Sequence, residues 1–421
     1  MKLFTPVTLG SFELKNRVIM APLTRRRAGA DAVPSPSARL YYEQRAGAGL
    51  IVSEGTCISA EGIGDRRLPG LWTAEQIAAW REITQAVHVR GGKIIAQLWH
   101  TGRASHPLLQ PDGAPAVAPS AIAIEGDREL DGEMIPSAVP RALETEEIQR
   151  VVADYARAAK NAITAGFDGI ELHGANGYLI DEFLQDGTNQ RTDQYGGSIQ
   201  NRIRFLREVL DATTEAIGAD RVALRLSPSS MFQSMHDSDP YELWAQVLSA
   251  VSEYDLAFLH LVEPGISGSE SHRSHAEGID SAWVRECFSG RLVAAGRYDR
   301  QSAEAALESG RLDAVAFGRP FLPNPDLVTR FEQDAPLRPL DRDTRYTAFD
   351  EGYIDEPSYK AEQYLASLLD GSLTPETLRA ETGAGEWSNR IPFEQWEASW
   401  ALKRFQVLQE SSEAGGEPAH A

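Results

Sequence analysis

The chain has 421 residues, 42% of them hydrophobic, which is enough apolar surface for a large core and argues against global disorder. Its 41 basic and 61 acidic side chains leave a formal charge of −20, so nucleic acid and anionic membranes, which demand a basic face, are disfavoured as partners. Two cysteines, Cys57 and Cys287, cannot form a disulfide framework, and no run is apolar enough for a leader or a bilayer span; a reducing, cytoplasmic setting is expected.

In chain order, eight short apolar runs read as strands: RVIMAPL, LIVSEGT, KIIAQLW, DGIELHG, RVALRLS, LAFLHLV, RLVAAGR and LDAVAFGR. A helix-length periodic segment follows each. The clearest is ETEEIQRVVADYARAAKNAITAG, where Ile148, Val151, Val152, Tyr155, Ala159, Ala162 and Ile163 keep the spacing of one buried face. Thr73 with Gln76 fits a capping box, and Asp239-Pro240 and Asn324-Pro325 place proline at a first helical position. Strict alternation of eight strands and eight helices predicts a closed (β/α)8 barrel.

Two segments stand outside the repeat. Residues 101–143, rich in Pro, Gly and Ala, form an insertion after the third strand, and residues 361–421 extend beyond a barrel of residues 1–360. The extension holds Trp387, Trp396 and Trp400, and KAEQYLASLLDG and PFEQWEASWALKRFQVLQ both read as amphipathic helices, with Thr374-Pro375 as a further helix start. Aromatic side chains in such density predict order to about residue 410, packed on a barrel surface of this subunit or of a partner. The extension is then an oligomer clamp or an active-site cover, while the terminal SSEAGGEPAHA reads as a disordered appendage.

Chemistry in such a barrel belongs at the carboxyl ends of the strands. There the chain offers Thr24, Gln97, Trp99 and Arg225, and the stretch HGANGY delivers His173, Asn176 and Tyr178 within six residues. Strands seven and eight end in Gly296-Arg297 and Gly318-Arg319; glycine there lets backbone N–H groups approach an anion, which points to a phosphate.

From Leu3 to Tyr359 the sequence resembles the Old Yellow Enzyme family of FMN-dependent ene-reductases. The resemblance rests on NRVIMAPLTR, AGLIVSEGT, PGLWTAEQIAAW, AQLWHTGR, HGANGYL, FLQDGTNQRTDQYGGSIQNRIRF and DAVAFGRPFLPNPDL, all in order. It implies non-covalent FMN, with NADPH or NADH as reductant. It implies that Pro22 and Gly55 contact the flavin through the backbone, that the Thr24 hydroxyl reaches O4 and Gln97 the pyrimidine edge, and that Arg225 lies beside N1 and O2, where negative charge collects on reduction. Gly296, Gly318 and Arg319 would hold the phosphate. His173 and Asn176 would hydrogen-bond the carbonyl or nitro oxygen of an activated alkene, an enone, enal or maleimide. The flavin would then pass hydride to the β-carbon while Tyr178 protonates the α-carbon. Trp99 and Tyr346 would touch the substrate.

The chain departs from the family where Asp65, Arg66 and Arg67 replace a common tyrosine, and where Asn176 stands in for a second histidine of some members. TAFD after Tyr346 also differs from the usual glycine run. A Schiff-base aldolase would need a lysine at a strand end, but Lys93 begins its strand; a metal hydrolase would need clustered ligands, but His100, His173 and His260 fall on separate strands, so no metal is expected. Two cysteines do not supply the iron–sulfur cluster of the larger dienoyl-CoA reductases. A nitro or nitrate-ester reductase on the same flavin site is the alternative activity. A non-catalytic flavin-binding interaction protein would lack Tyr178 or His173, and both are present.

Overall fold

The short apolar runs become strands because both of their faces are covered, as in any parallel sheet wrapped by helices. The computed structural model describes residues 1–267, 270–271, 278–347 and 350–413. Its barrel strands are β1 (Val18–Met20), β2 (Leu50–Val52), β3 (Ile94–Trp99), β4 (Gly169–Gly174), β5 (Val222–Leu226), β6 (Phe258–Val262), β7 (Leu292–Ala295) and β8 (Ala314–Phe317). Each pairs in parallel with the next, and β8 returns to β1 with Ala316 opposite Ile19, so the sheet has no open edge. The β/α alternation predicted from the chain is present.

Alternation along each strand sorts the side chains into two cores. Outward-facing Val18, Ile94, Leu172, Leu224, Leu259 and Val315 pack into the large cluster under the helices. Inward-facing Ile19, Ile95, Ala223, Phe258, Val293 and Ala314 form a second cluster inside the barrel. A hairpin of Val7–Leu9 and Phe12–Leu14 closes the amino-terminal end, its Leu9, Phe12 and Leu14 joining that inner cluster. With the floor apolar and sealed, polar inward-facing residues collect at the opposite end.

The outer ring comprises α1 (Ser37–Gln44), α2 (Ala74–Val89), α3 (Thr145–Thr164), a short α4 (Leu179–Leu184), α5 (Ile199–Ile217), α6 (Pro240–Val251), α7 (Ser281–Cys287), α8 (Arg300–Glu308) and α9 (Leu327–Gln333). α2 opens with the expected capping box, and Asp239 caps α6 with Pro240 at its first turn. The expected start at Asn324-Pro325 is corrected: α9 begins after Asp326, and the Asn324 amide instead donates to the carbonyls of Pro320 and Arg338, at 2.8 and 3.4 Å. Buried Asn324 is a loop staple. Cys57 and Cys287 are both free thiols.

The extension forms α10 (Tyr359–Leu369), α11 (Pro375–Thr382) and α12 (Phe393–Glu413). Leu368, Leu378, Ala398, Ala401 and Leu402 make its own small core, while Trp396, 2% exposed, joins the barrel's outer core. Burying an indole removes roughly 150–250 Å² from water, on the order of 4–6 kcal/mol of transfer free energy before ordering is counted. Arg90, just past α2, lies over the Phe393 ring at 4.2 Å and pairs with Glu394, and Arg39 of α1 donates to the Ile391 carbonyl. The extension thus lies on the outside of its own barrel, beside α1 and α2. Among the described residues no helix is long and apolar enough to cross a membrane. Of the expected appendage SSEAGGEPAHA, Ser411–Glu413 instead continue α12, and residues from 414 on lie outside the described residues, as do Ala348 and Phe349 of TAFD.

Candidate active site

A cavity of about 1210 Å³ opens at the carboxyl end of the barrel. It is lined by Pro22, Thr24, Gln97, Trp99, His173, Asn176, Tyr178, Arg225, Gly296, Gly318, Arg319 and Tyr346, all expected from sequence. Gly55 is the exception. It lies behind the wall, where an added Cβ would sit 2.2 Å from Trp99 Cε3; glycine there lets the indole lie flat against the barrel.

His173 faces inward from the end of β4, 5% exposed, opposite Arg225 of β5 in the register. Its Nδ1 accepts the Ala175 N–H at 3.3 Å, so the neutral ring carries its proton on Nε2. Burial, then the charges of Arg225 and His260, hold its pKa well below the ordinary histidine range. His173 is therefore a neutral donor. The chain then turns sharply: Asn176 and Gly177 both take left-handed backbone, at φ 58° and 72°, and the Asn176 N–H is pinned to Ser227 Oγ at 2.7 Å. The Asn176 Oδ1 is buried with no hydrogen-bond partner in the protein.

The turn swings Tyr178 back beside His173, ring centroids 4.9 Å apart and nearly perpendicular, with Trp99 edge-on at 4.7 Å. Burial raises the Tyr178 phenol above the ordinary tyrosine range, helped by Asp65 and Tyr346 and opposed by Arg128 and Arg26. It stays protonated at any physiological pH. Arg225 is lowered by burial and supported by Glu171; its Nε is buried without a partner.

A buried carboxylate escaped the sequence reading. Glu171 faces inward two residues before His173, 0% exposed, between Gln97 and His260. It accepts from Gln97 Nε2 at 2.8 Å and pairs with His260 Nδ1 at 2.6 Å. Burial pushes its carboxyl up, but His260, Arg225 and Gln97 outweigh that and hold it below the usual range. The only signal in the sequence was a carboxylate inside an apolar run, which requires a partner.

The mouth of the cavity is built from loops. Asp65 lines it and pairs with Arg26, whose guanidinium lies 4.8 Å from the Tyr346 ring; Arg345 lies 4.9 Å from that ring. Arg66 turns away to Asp131 on a hairpin of Asp127–Leu130 and Glu133–Pro136 inside the 101–143 insertion. From the same hairpin Arg128 reaches the carbonyls of Ala104 and Gly64, at 2.8 and 2.6 Å. Of Asp65, Arg66 and Arg67, Asp65 alone touches the cavity. No residue of the C-terminal extension is among those lining it, and among the described residues no three His, Cys, Asp or Glu side chains gather as metal ligands.

These features fit FMN. The Gln97 amide, its N–H on Glu171, leaves an acceptor for an imide N–H, and Arg225 has an unsatisfied donor for a developing negative charge. Gly296 and Gly318 line the cavity beside Arg319, where side-chain-free backbone suits a phosphate, and at Gly296 no larger residue fits, since a Cβ would meet Glu263 Cβ at 2.4 Å.

Comparison with known proteins agrees. The family model described as NADH:flavin oxidoreductase / NADH oxidase matches residues 2–338. The chain is 44% identical to 12-oxophytodienoate reductase 1 of Oryza sativa subsp. japonica, over 84% of this chain and 92% of that protein. It is 42% identical to the flavin oxidoreductase hxnT of Emericella nidulans, over 84% and 97%. The solved structure of an old yellow enzyme homologue from Zymomonas mobilis superposes with a TM-score of 0.81 at 45% identity, covering 85% of this chain and 99% of that one. Morphinone reductase follows at 0.79 and 45%, covering 85% and 96%, and was also solved with tetrahydroNAD. Fold, cavity and kinship together make this chain a member of the NADH:flavin oxidoreductase / NADH oxidase family, an FMN-dependent oxidoreductase of the Old Yellow Enzyme type.

Proposed function

We propose that the chain is an ene-reductase that saturates the C=C bond of activated alkenes such as enones, enals and maleimides. The observation that carries this reading is the convergence of a neutral His173, the Asn176 amide and a protonated Tyr178 on one rim. Bound FMN supplies the hydride, which NADPH or NADH replenishes.

The protein's own groups do the rest. His173, through Nε2–H, and Asn176 donate to the substrate's carbonyl oxygen and stabilise the charge that develops there. Neutral histidine suits this role, because a charged ring would tend to hand over its proton. Tyr178 gives its proton to the α-carbon; a phenol held above its ordinary pKa does not ionise beforehand, so it is present as an acid in every turnover. Pro22, Thr24, Gln97, Arg225, Gly296, Gly318 and Arg319 hold the cofactor, and Gly55 serves it indirectly by seating Trp99. Trp99 and Tyr346 bound the flat body of the substrate. Likeness to reductases named for 12-oxophytodienoate and morphinone supports the assignment.

Stopped-flow mixing of the reduced enzyme with a panel of enones, maleimides and nitro compounds tests it. Rapid oxidation by enones with formation of the saturated ketone is expected. Oxidation by nitro compounds or nitrate esters alone would make the chain a nitroreductase, a reaction that uses the two oxygen donors but not the carbon acid.

A further inference from the structure

We propose that Glu171 is a positioning residue for the cofactor, fixing which end of the Gln97 amide faces the cavity and setting a buried negative charge beside Arg225. The two ends of a carboxamide are nearly the same size, so packing alone does not decide which way Gln97 points. Glu171 decides it. An ionised carboxylate only accepts hydrogen bonds, and its Oε1 takes the Gln97 Nε2–H at 2.8 Å, so the acceptor Oε1 of Gln97 is left for the cavity that residue lines.

The carboxylate is held in turn. His260 Nδ1 meets its second oxygen at 2.6 Å, and the barrel register places Gln97 opposite Glu171 and His260 opposite Arg225. These four side chains form one polar layer above an interior floor of Ala223, Phe258, Val293 and Ala314. An ionised group this deep is unfavourable unless it is matched, so a layer serving packing alone would be better filled with hydrocarbon. Its chemistry points at the cofactor. The pyrimidine edge of a flavin alternates acceptor, N–H donor and acceptor, and the donor needs an oxygen opposite it. The same carboxylate offsets part of the Arg225 charge, so the flavin takes up electrons less readily than beside an unopposed guanidinium.

The inference rests on FMN occupying this cavity and not on which acceptor reoxidises it, so it is tested without turnover and fails separately from the ene-reductase reading. Apoprotein is titrated with FMN by flavin fluorescence, and the midpoint potential of the reconstituted protein is measured by dye equilibration. Glu171→Gln should weaken FMN binding by about tenfold or more, the effect of one charge-assisted hydrogen bond, and shift the potential to more positive values. Glu171→Asp keeps the charge but loses the reach to Gln97, so affinity falls while the potential stays near that of the parent. In the Glu171→Gln background, Gln97→Ala should cost far less affinity than it does alone, because its orientation is already lost. Parental affinity and potential in Glu171→Gln, or full additivity with Gln97→Ala, would overturn the proposal. Should circular dichroism show that Glu171→Gln does not fold, the cycle is run with Glu171→Asp, and additivity there overturns it equally.

Discussion

The rim of β3, β4 and β5 and the loops around the cavity mouth hold their side chains in different ways. On the rim, Gln97, Glu171 and His173 are 2%, 0% and 5% exposed, fixed by strand register and by hydrogen bonds in low dielectric. At the mouth, Asp65, Arg26 and Tyr346 are joined by an ion pair and a ring contact, and the Arg66–Asp131 pair is about half exposed on each side. The exposed Arg66–Asp131 pair contributes about 0–1 kcal/mol, so the outer part of the mouth is held more weakly than the rim. On the proposed reading, the reaction is built into the barrel and the choice of substrate into the loops.

The sharpest way to break this division is Tyr178→Phe. Oxidation of the reduced enzyme by an enone should slow by about 10²–10⁴, while reduction by NAD(P)H is nearly unchanged, both read by stopped-flow absorbance. Equal slowing of both would move Tyr178 from proton donor to binding wall. His173→Ala should cost roughly 10² or more in enone turnover and weaken phenolic ligands in parallel. Unchanged ligand binding would remove the histidine from the rim's chemistry.

Truncation after Lys360 deletes most of α10 and all of α11 and α12, and unseats Trp396; the melting temperature should fall by about 5 °C or more by calorimetry. Asp65→Asn removes the nearer carboxylate partner of Arg26 and should change KM among alkenes of different bulk by a few-fold, with FMN affinity unchanged. An altered FMN affinity would show that mouth and rim are not independent. The smallest effect expected is none. With His173 held neutral and Tyr178 held protonated, the rate of enone oxidation should vary less than about twofold between about pH 6.5 and pH 9. The same depressed pKa has a stability consequence of definite sign. Folded His173 binds fewer protons than unfolded, so its contribution is complete above the ordinary histidine value near 6.5 and is lost as pH falls below it.

The barrel and the polar residues at its strand ends were legible in the sequence because each depends on local pattern: apolar strands, capped helices, and polar residues where a strand ends. What escaped depends on register. Glu171 and His260 were visible as polar residues in apolar runs, but they lie 89 positions apart, and only closure of the sheet shows that they meet. The mouth hairpin had a local signal that went unread, Asp131-Gly132 between two short extended runs, with φ 55° and 84° at the turn. Its Arg128 was therefore missed. Asn324-Pro325 misled for the opposite reason: the pattern fits a helix start, but tertiary hydrogen bonds hold Asn324 in the preceding loop.

Trp400 of α12 donates its indole N–H to the carbonyl of Asp355 at 2.6 Å, and Asp355 accepts the Gly352 N–H at 2.7 Å. Arg25 and Arg27, just past β1, grip the same stretch through the carbonyls of Gly352, Glu351 and Thr344. That stretch carries Tyr346 to the cavity, and it lies beyond residue 338, where the family match stops. One wall of the pocket therefore hangs on a segment that is tied to the C-terminal extension on one side and to the barrel on the other. A distant helix on the outer surface is thereby coupled to one wall of the cavity, through Asp355 and Gly352, without touching the cavity itself.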